Sequence, residues 1–357
     1  MSVTDTQTLW LRLTGAGLAS GAMPPARALP VPWFVRLMQG FAGWIGALFV
    51  LMFAGAAFSA LFDSTPAGLL IGCMACGAAG LLFRLKPDSD FMGQFGLAVS
   101  LAGQMLVMFA LGRALQYQLG PASLLIAVFQ AILFVALPHP AHRVWSAWAS
   151  AMALMLAANF WHWQNLAPPL LGAACAALWL NEARWPHQAE LARAGGYGLA
   201  LALIVTLAFT QGGSASELGF LLKVVPVRNG WLGPILNGLV LVATLWQLLE
   251  RARIGPRSPV GTRLLAVAAI LAVTTWKAPG LVPAVLILVL GFAGGERPLF
   301  ALGVLALLSY MGIYYYSLEA SLLFKATLML GTGALLLAVR LVVLRGWAIP
   351  AEHPAHD

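Results

Sequence analysis

Charge is scarce in this chain, and its placement points to chemistry. Arg113, His162, Lys277, Glu319 and Lys325 fall where apolar segments end on one side, with Tyr314, Tyr315 and Tyr316 beside the last two. Cations set against aromatic faces can hold an anionic headgroup or an acidic protein surface, so these eight residues form a candidate binding cluster. The plainer reading is interfacial anchoring, in which Lys and Arg stems lie in the apolar layer and their heads reach water. Within the apolar segments, Gln94, Gln104, Gln130, Asn237 and Thr244 could line a path for a solute. No Asp or Glu stands in the middle of such a segment. Carriers driven by protons or sodium commonly load the ion on a buried carboxylate, so that mechanism is disfavoured.

Other motifs read as structure. Cys73-Met-Ala-Cys76 has redox spacing, but its Leu, Ile, Gly and Ala surroundings do not favour a thiolate. Gly72, Cys76, Gly77 and Gly80 instead supply small residues for a close helix contact. His139-Pro-Ala-His142 and His353-Pro-Ala-His356 could in principle hold zinc, although the proline in each works against a regular helical pair. Gly212-Gly213-Ser214-Ala215-Ser216 reads as a small-residue loop. There is no zinc-protease run, nucleophile elbow or phosphate loop. No catalytic residue, metal or cofactor is expected, and the chain is read as not an enzyme.

The elements that must position these residues are membrane helices. Of the 357 residues 61% are apolar and 9% charged, far from the ~25% charged of an ordinary soluble domain. The net charge of +8 in so apolar a chain points to lipid headgroups rather than nucleic acid. A spanning helix needs roughly 17–25 apolar residues. The expectation is an all-α polytopic bundle of about twelve transmembrane helices, at 40–62, 66–83, 91–112, 121–138, 145–163, 167–181, 196–211, 230–249, 263–276, 281–294, 298–317 and 323–344. The short segments 167–181, 263–276 and 281–294 are expected to be re-entrant or broken. With the N-terminus in the cytoplasm, every Lys and Arg except Arg113, Lys223, Arg228, Lys277 and Lys325 falls inside, so both termini are expected there. Residues 1–39 form an amphipathic cytoplasmic segment, with a short interfacial helix over 5–19, residues 40–345 the membrane domain and 346–357 a cytoplasmic tail. Trp161, Trp163, Trp231 and Trp276 mark one interface, and Trp33, Trp145, Trp185 and Trp347 the other. Three turns echo one another, each with an aromatic (Tyr117, Trp163, Tyr315) followed by a Leu-Leu pair. Duplicated hairpins and the ordinary needs of any tight membrane turn both account for this.

Three stretches resemble an uncharacterised bacterial membrane family, domain of unknown function 4401. They are Leu9-Trp10 with Gly17-Leu18, then Pro32-Trp33-Phe34-Val35-Arg36 leading to Gly43-Trp44, and finally the run from Tyr314 to Lys325-Ala326. The family looks related to a second one, number 2157. The resemblance implies a bacterial inner-membrane location and an exported periplasmic partner, named for a Gly-Asp-Tyr motif, but no activity. The leading expectation is a transporter or flippase-like permease for a small or amphipathic solute. The alternative is a non-transporting membrane subunit that anchors or senses the exported partner through the Arg/His/Lys/Tyr cluster. The lipid bilayer is a partner in either case. Oligomeric state and substrate are not legible.

Overall fold

The structure, a computed structural model, describes residues 3–17, 21, 32–57, 64–87, 89–163, 165–212, 231–274 and 280–317, with 323, 326–327, 330 and 337. Among these residues there are twelve α-helices and no strand. They are α1 (Val3–Gly15), α2 (Trp33–Ala57), α3 (Thr65–Leu85), α4 (Asp90–Ala114), α5 (Leu119–Ala136) and α6 (Pro140–Phe160). There follow α7 (Ala167–Asn181), α8 (Ala189–Gly212), α9 (Leu232–Arg251), α10 (Pro259–Thr274), α11 (Leu281–Gly294) and α12 (Arg297–Ser317). Two 3₁₀ turns, Glu182–Arg184 and Pro186–Gln188, join α7 to α8. Among the described residues five helices (α3, α4, α5, α9 and the stretch Pro186–Thr206) are long and apolar enough to cross a membrane. Large apolar side chains are exposed along most of the helices, Phe49, Met74, Phe109, Ile132, Leu170 and Val273 among them. A water-facing surface would not carry so many, and the chain is a membrane protein.

The helices follow the apolar runs but are not bounded by them. α2 begins at Trp33 rather than at residue 40, and α8 at Ala189 rather than 196, because backbone hydrogen bonding continues past Arg36 and Gln39 in the one and past Glu190 and Arg193 in the other. The three short segments are unbroken helices, which removes the broken alternative and leaves the re-entrant one: α7 has 15 residues, α10 16 and α11 14. Their prolines fall near helix N-termini, where the missing N–H disturbs nothing. The expected last span, 323–344, lies almost wholly outside the described residues.

Helix ends have local causes. The Ser64 hydroxyl accepts from the Ala67 N–H at 3.2 Å to open α3. Four helices close with the same cap, a left-handed residue followed by an N–H that reaches back five positions. Gln116 (φ 49°) precedes Tyr117 N–H to Gly112 O, and His162 (φ 62°) precedes Trp163 N–H to Ala158 O, each at 2.7 Å. Arg253 (φ 56°) before Ile254 and Gly295 (φ 66°) before Glu296 repeat it.

The chain divides into two units, Met1–Val107 and Met108–Asp357. In the first, α3 buries a single stripe, Gly68, Gly72, Cys76, Ala79 and Phe83, of which Gly72, Cys76 and Phe83 meet α4. A Cβ on Gly72 would lie 2.7 Å from Gly103 O, and one on Gly103 2.7 Å from Gly72 O, so the backbones touch. Cys76 belongs to this seam, as the small-residue reading expects, but Gly77 has nothing within 4 Å and faces away. Gly43 likewise brings α2 against Phe91 on α4. In the second unit α8 packs against α6, α7, α11 and α12, while α5 covers α6 and α9 meets α7, α10 and α11. Its core centres on Leu171, Cys175, Ala200, Leu203, Leu241 and Ile287. Gly198 against Ala147 and Gly303 against the Leu288 backbone mark close crossings. Where lipid replaces water, helix association rests on such van der Waals fit rather than on the hydrophobic effect.

Candidate functional site

The expected Arg/His/Lys/Tyr cluster is described only in part. Arg113 ends α4 with its guanidinium carbon 5.9 Å from the Phe109 ring centroid, a cation–π contact within its own helix. His162 is exposed in the left-handed cap of α6. No hydrogen bond or ion pair joins these two among the described residues. Tyr314, Tyr315 and Tyr316 lie in the last turn of α12, where the helix but not their side chains is described, and Lys277, Glu319 and Lys325 fall outside the described residues.

The candidate path-lining residues are divided between the units. In the first, Gln94 Oε1 accepts from Trp44 Nε1 at 2.9 Å. Gln104 Nε2 donates to Ser100 Oγ at 3.1 Å, and Cys76 Sγ donates to Ser100 O at 3.6 Å, so thiol, hydroxyl and amide form one buried group midway along α3 and α4. In the second, Gln130 is buried on α5, and Asn237 and Thr244 on α9, the Thr244 hydroxyl donating to Val240 O at 2.7 Å. His142 is fully buried with Nδ1 3.3 Å from Ser146 Oγ, and His139 caps α6, its pKa lowered by burial. The second His-Pro-Ala-His run is outside the described residues. Among those described, no three His, Cys, Asp or Glu side chains group as a metal site.

Two features of the second unit are absent from the sequence reading. The first is a polar network at the arginine-rich helix ends. Arg193 at the start of α8 grips Glu182 at 3.0 Å and Glu296, in the α11–α12 turn, at 2.8 Å. Tyr197 donates to the other Glu296 oxygen at 3.3 Å, and Arg143 on α6 lies 3.7 Å from Glu190. Arg251, closing α9, donates to Leu180 O and to Asn181 Oδ1. Ends of α6, α7, α8, α9, α11 and α12 thus meet on one face. These are the ends that the Arg/Lys distribution groups together.

The second feature is an apolar groove of about 540 Å³ walled by α5, α6, α7 and α8. It runs the length of α7, from Trp163 at one end to Trp185 and Gln188 at the other. Fifteen helical residues at ~1.5 Å each make that about 22 Å. Small side chains hollow it out. A Cβ on Gly195 would already press on Leu178 and Phe134, 3.3 and 3.4 Å away. Ser150 is a polar exception along the walls, and its hydroxyl is occupied by Ala127 O at 2.9 Å. Gln130, Asn237 and Thr244 do not line it. The arrangement can seat a hydrocarbon chain, and no charged side chain stands among the described residues that line it. The alanines at 131, 147, 151, 158 and 174 were the available signal, yet small residues announce close packing equally well.

The model of the family described as a domain of unknown function, DUF4401, matches residues 32–346, and the chain belongs to that family. No curated protein and no solved structure matches it.

Proposed function

We propose that this member of the 4401 family is a multi-pass permease or flippase-like protein of the bacterial inner membrane, with both termini in the cytoplasm, acting on an amphipathic solute. The groove along α7 carries this reading. Its apolar walls suit the tail of an amphiphile rather than a small polar solute, because a polar solute there would lose its water without gaining partners. Tryptophans at both ends are the side chains favoured at headgroup depth. The chain does no covalent chemistry on this reading.

Reconstitution tests it. Full-length protein in liposomes holding a phospholipid with a fluorescent headgroup is exposed to membrane-impermeant dithionite. Quenching beyond the outer leaflet's share, scaling with the number of protein-bearing vesicles, is the expected result. Quenching equal to that of protein-free vesicles, for several headgroup and chain types, refutes lipid movement.

A further inference from the structure

The geometry points to a specific ligand for the groove between α5, α6, α7 and α8: one acyl chain of an anionic phospholipid, its headgroup held at the Trp185–Gln188 end. This deepens the permease reading and rests on it for the groove's purpose.

The setting favours a chain over water. Leu154 and Leu170 on the groove walls are 47% and 65% exposed, so the groove opens onto surface that faces hydrocarbon. Water entering an apolar furrow there would find few partners, whereas an acyl chain restores the contacts that an empty space forfeits. The hydrocarbon core is ~30 Å thick, so a leaflet is about half that depth. A groove along the whole of α7 therefore receives a chain over the full depth of its leaflet.

The two ends differ in charge. Beside Trp185 and Gln188 stand Arg184 and His187, both exposed. Two nearby carboxylates are already engaged, Glu182 by Arg193 at 3.0 Å and Glu190 by Arg143 at 3.7 Å. Arg184 makes no ion pair among the described residues. It is positioned to meet a phosphate oxygen from a headgroup next to the indole of Trp185. The opposite end has Trp163 preceded by His162, and Arg113, which the Arg/Lys distribution places on the same side, lies against the Phe109 ring of its own helix. The charge thus orients the lipid with its head at the arginine-rich face.

The test uses full-length protein in nanodiscs containing phosphatidylglycerol or phosphatidylcholine with a photoreactive diazirine in the acyl chain. Crosslinked peptides are mapped by mass spectrometry. Ala174→Phe fills the groove from an exposed position on α7, and Ala177→Phe is the control, exposed on the same helix but outside the lining. Labelling is expected to concentrate on α6–α8, to fall several-fold in Ala174→Phe and to persist in Ala177→Phe. Phosphatidylglycerol should label more strongly than phosphatidylcholine, with Arg184→Gln erasing the difference. Labelling spread evenly over the exposed helices, or unchanged by Ala174→Phe, overturns the site. Equal labelling by both lipids in the wild-type chain overturns the headgroup assignment. Dithionite quenching separates this from the broader reading. Lipid movement with an indifferent Ala174→Phe defeats the groove alone, and specific labelling without movement defeats the permease alone.

Discussion

Replacing Gly72 by alanine should weaken the fold, and the same replacement at Gly77 should not. Both sit inside α3, so both changes carry the same intrinsic benefit, roughly 0.5–1 kcal/mol from the chain entropy that glycine loses in a helix. Their surroundings differ. The new methyl at 72 would stand 2.6 Å from Val107 Cγ2 and 2.7 Å from Gly103 O, and a backbone carbonyl cannot turn away as a side-chain tip can. Ordinary contact begins near 3.4 Å, so α3 and α4 must part by about 0.7 Å. A gap of that size forfeits a quarter to a half of the dispersion attraction along the seam, and overpacking of this kind costs about 1–3 kcal/mol. Net of the helix benefit, Gly72→Ala should lose up to about 2.5 kcal/mol, while Gly77→Ala, with nothing within 4 Å, should gain up to ~1. Thermal unfolding of detergent-solubilised protein reads the difference as opposite shifts in midpoint. Gly103→Ala should resemble Gly72→Ala, and the double variant should fall short of additivity because one separation of the helices accommodates both methyls. Equal shifts at 72 and 77, or a stabilised Gly72→Ala, would refute the close approach of these helices.

At the network, Arg193→Met should cost about 1 kcal/mol at low ionic strength and less in high salt, since Arg193 is half exposed and its pairs are partly screened. A double-mutant cycle with Glu296→Gln on melting midpoints should recover a coupling below that value. His139 is held neutral by burial, so the unfolded chain takes up a proton more readily and stability is lost as pH falls below 6.5 toward the lowered value. Melting curves of His139→Gln should show a shallower slope than wild type between pH 7 and 5, the remainder coming from His142, which is also buried. Gly303→Val should lower the midpoint of the second unit by separating α11 from α12, because its Cβ would lie 2.6 Å from Leu288 Cα and N.

How much was legible depended on whether a feature is local. Apolar runs located the helices, since the need to satisfy backbone groups in hydrocarbon leaves the helix as the structure for such runs. Their ends were less legible: α8 starts among Glu190 and Arg193 because hydrogen bonding does not register polarity. The length of α7 suggested a break, yet its prolines fall in the first turn and leave the helix whole. The echo between Tyr117 and Trp163 has a physical basis, as each follows a left-handed residue in the same cap. Ile254 and Glu296 occupy that position too, so the cap belongs to helix ends in general and the echo does not establish duplication. The arginine network was hidden because Arg193 binds acids from two other parts of the chain, and sequence spacing cannot pair them. The groove was hidden because alanine and glycine mark both places where helices touch and places where they stand apart.

The short helices have a consequence for the surrounding bilayer. α7, α9 and α11 touch one another and α10 packs on α9, so the 15-, 16- and 14-residue members gather in one region. At ~1.5 Å per residue their lengths are about 21–24 Å, against a hydrocarbon layer of ~30 Å. If these helices cross the bilayer, lipids beside their exposed flanks must compress or tilt to keep their tails dry, at a fraction of a kcal/mol per Å. The protein would then rest most easily where the bilayer is thin or elastically soft. Acyl-chain length in the host membrane thereby becomes a variable that sets where it settles.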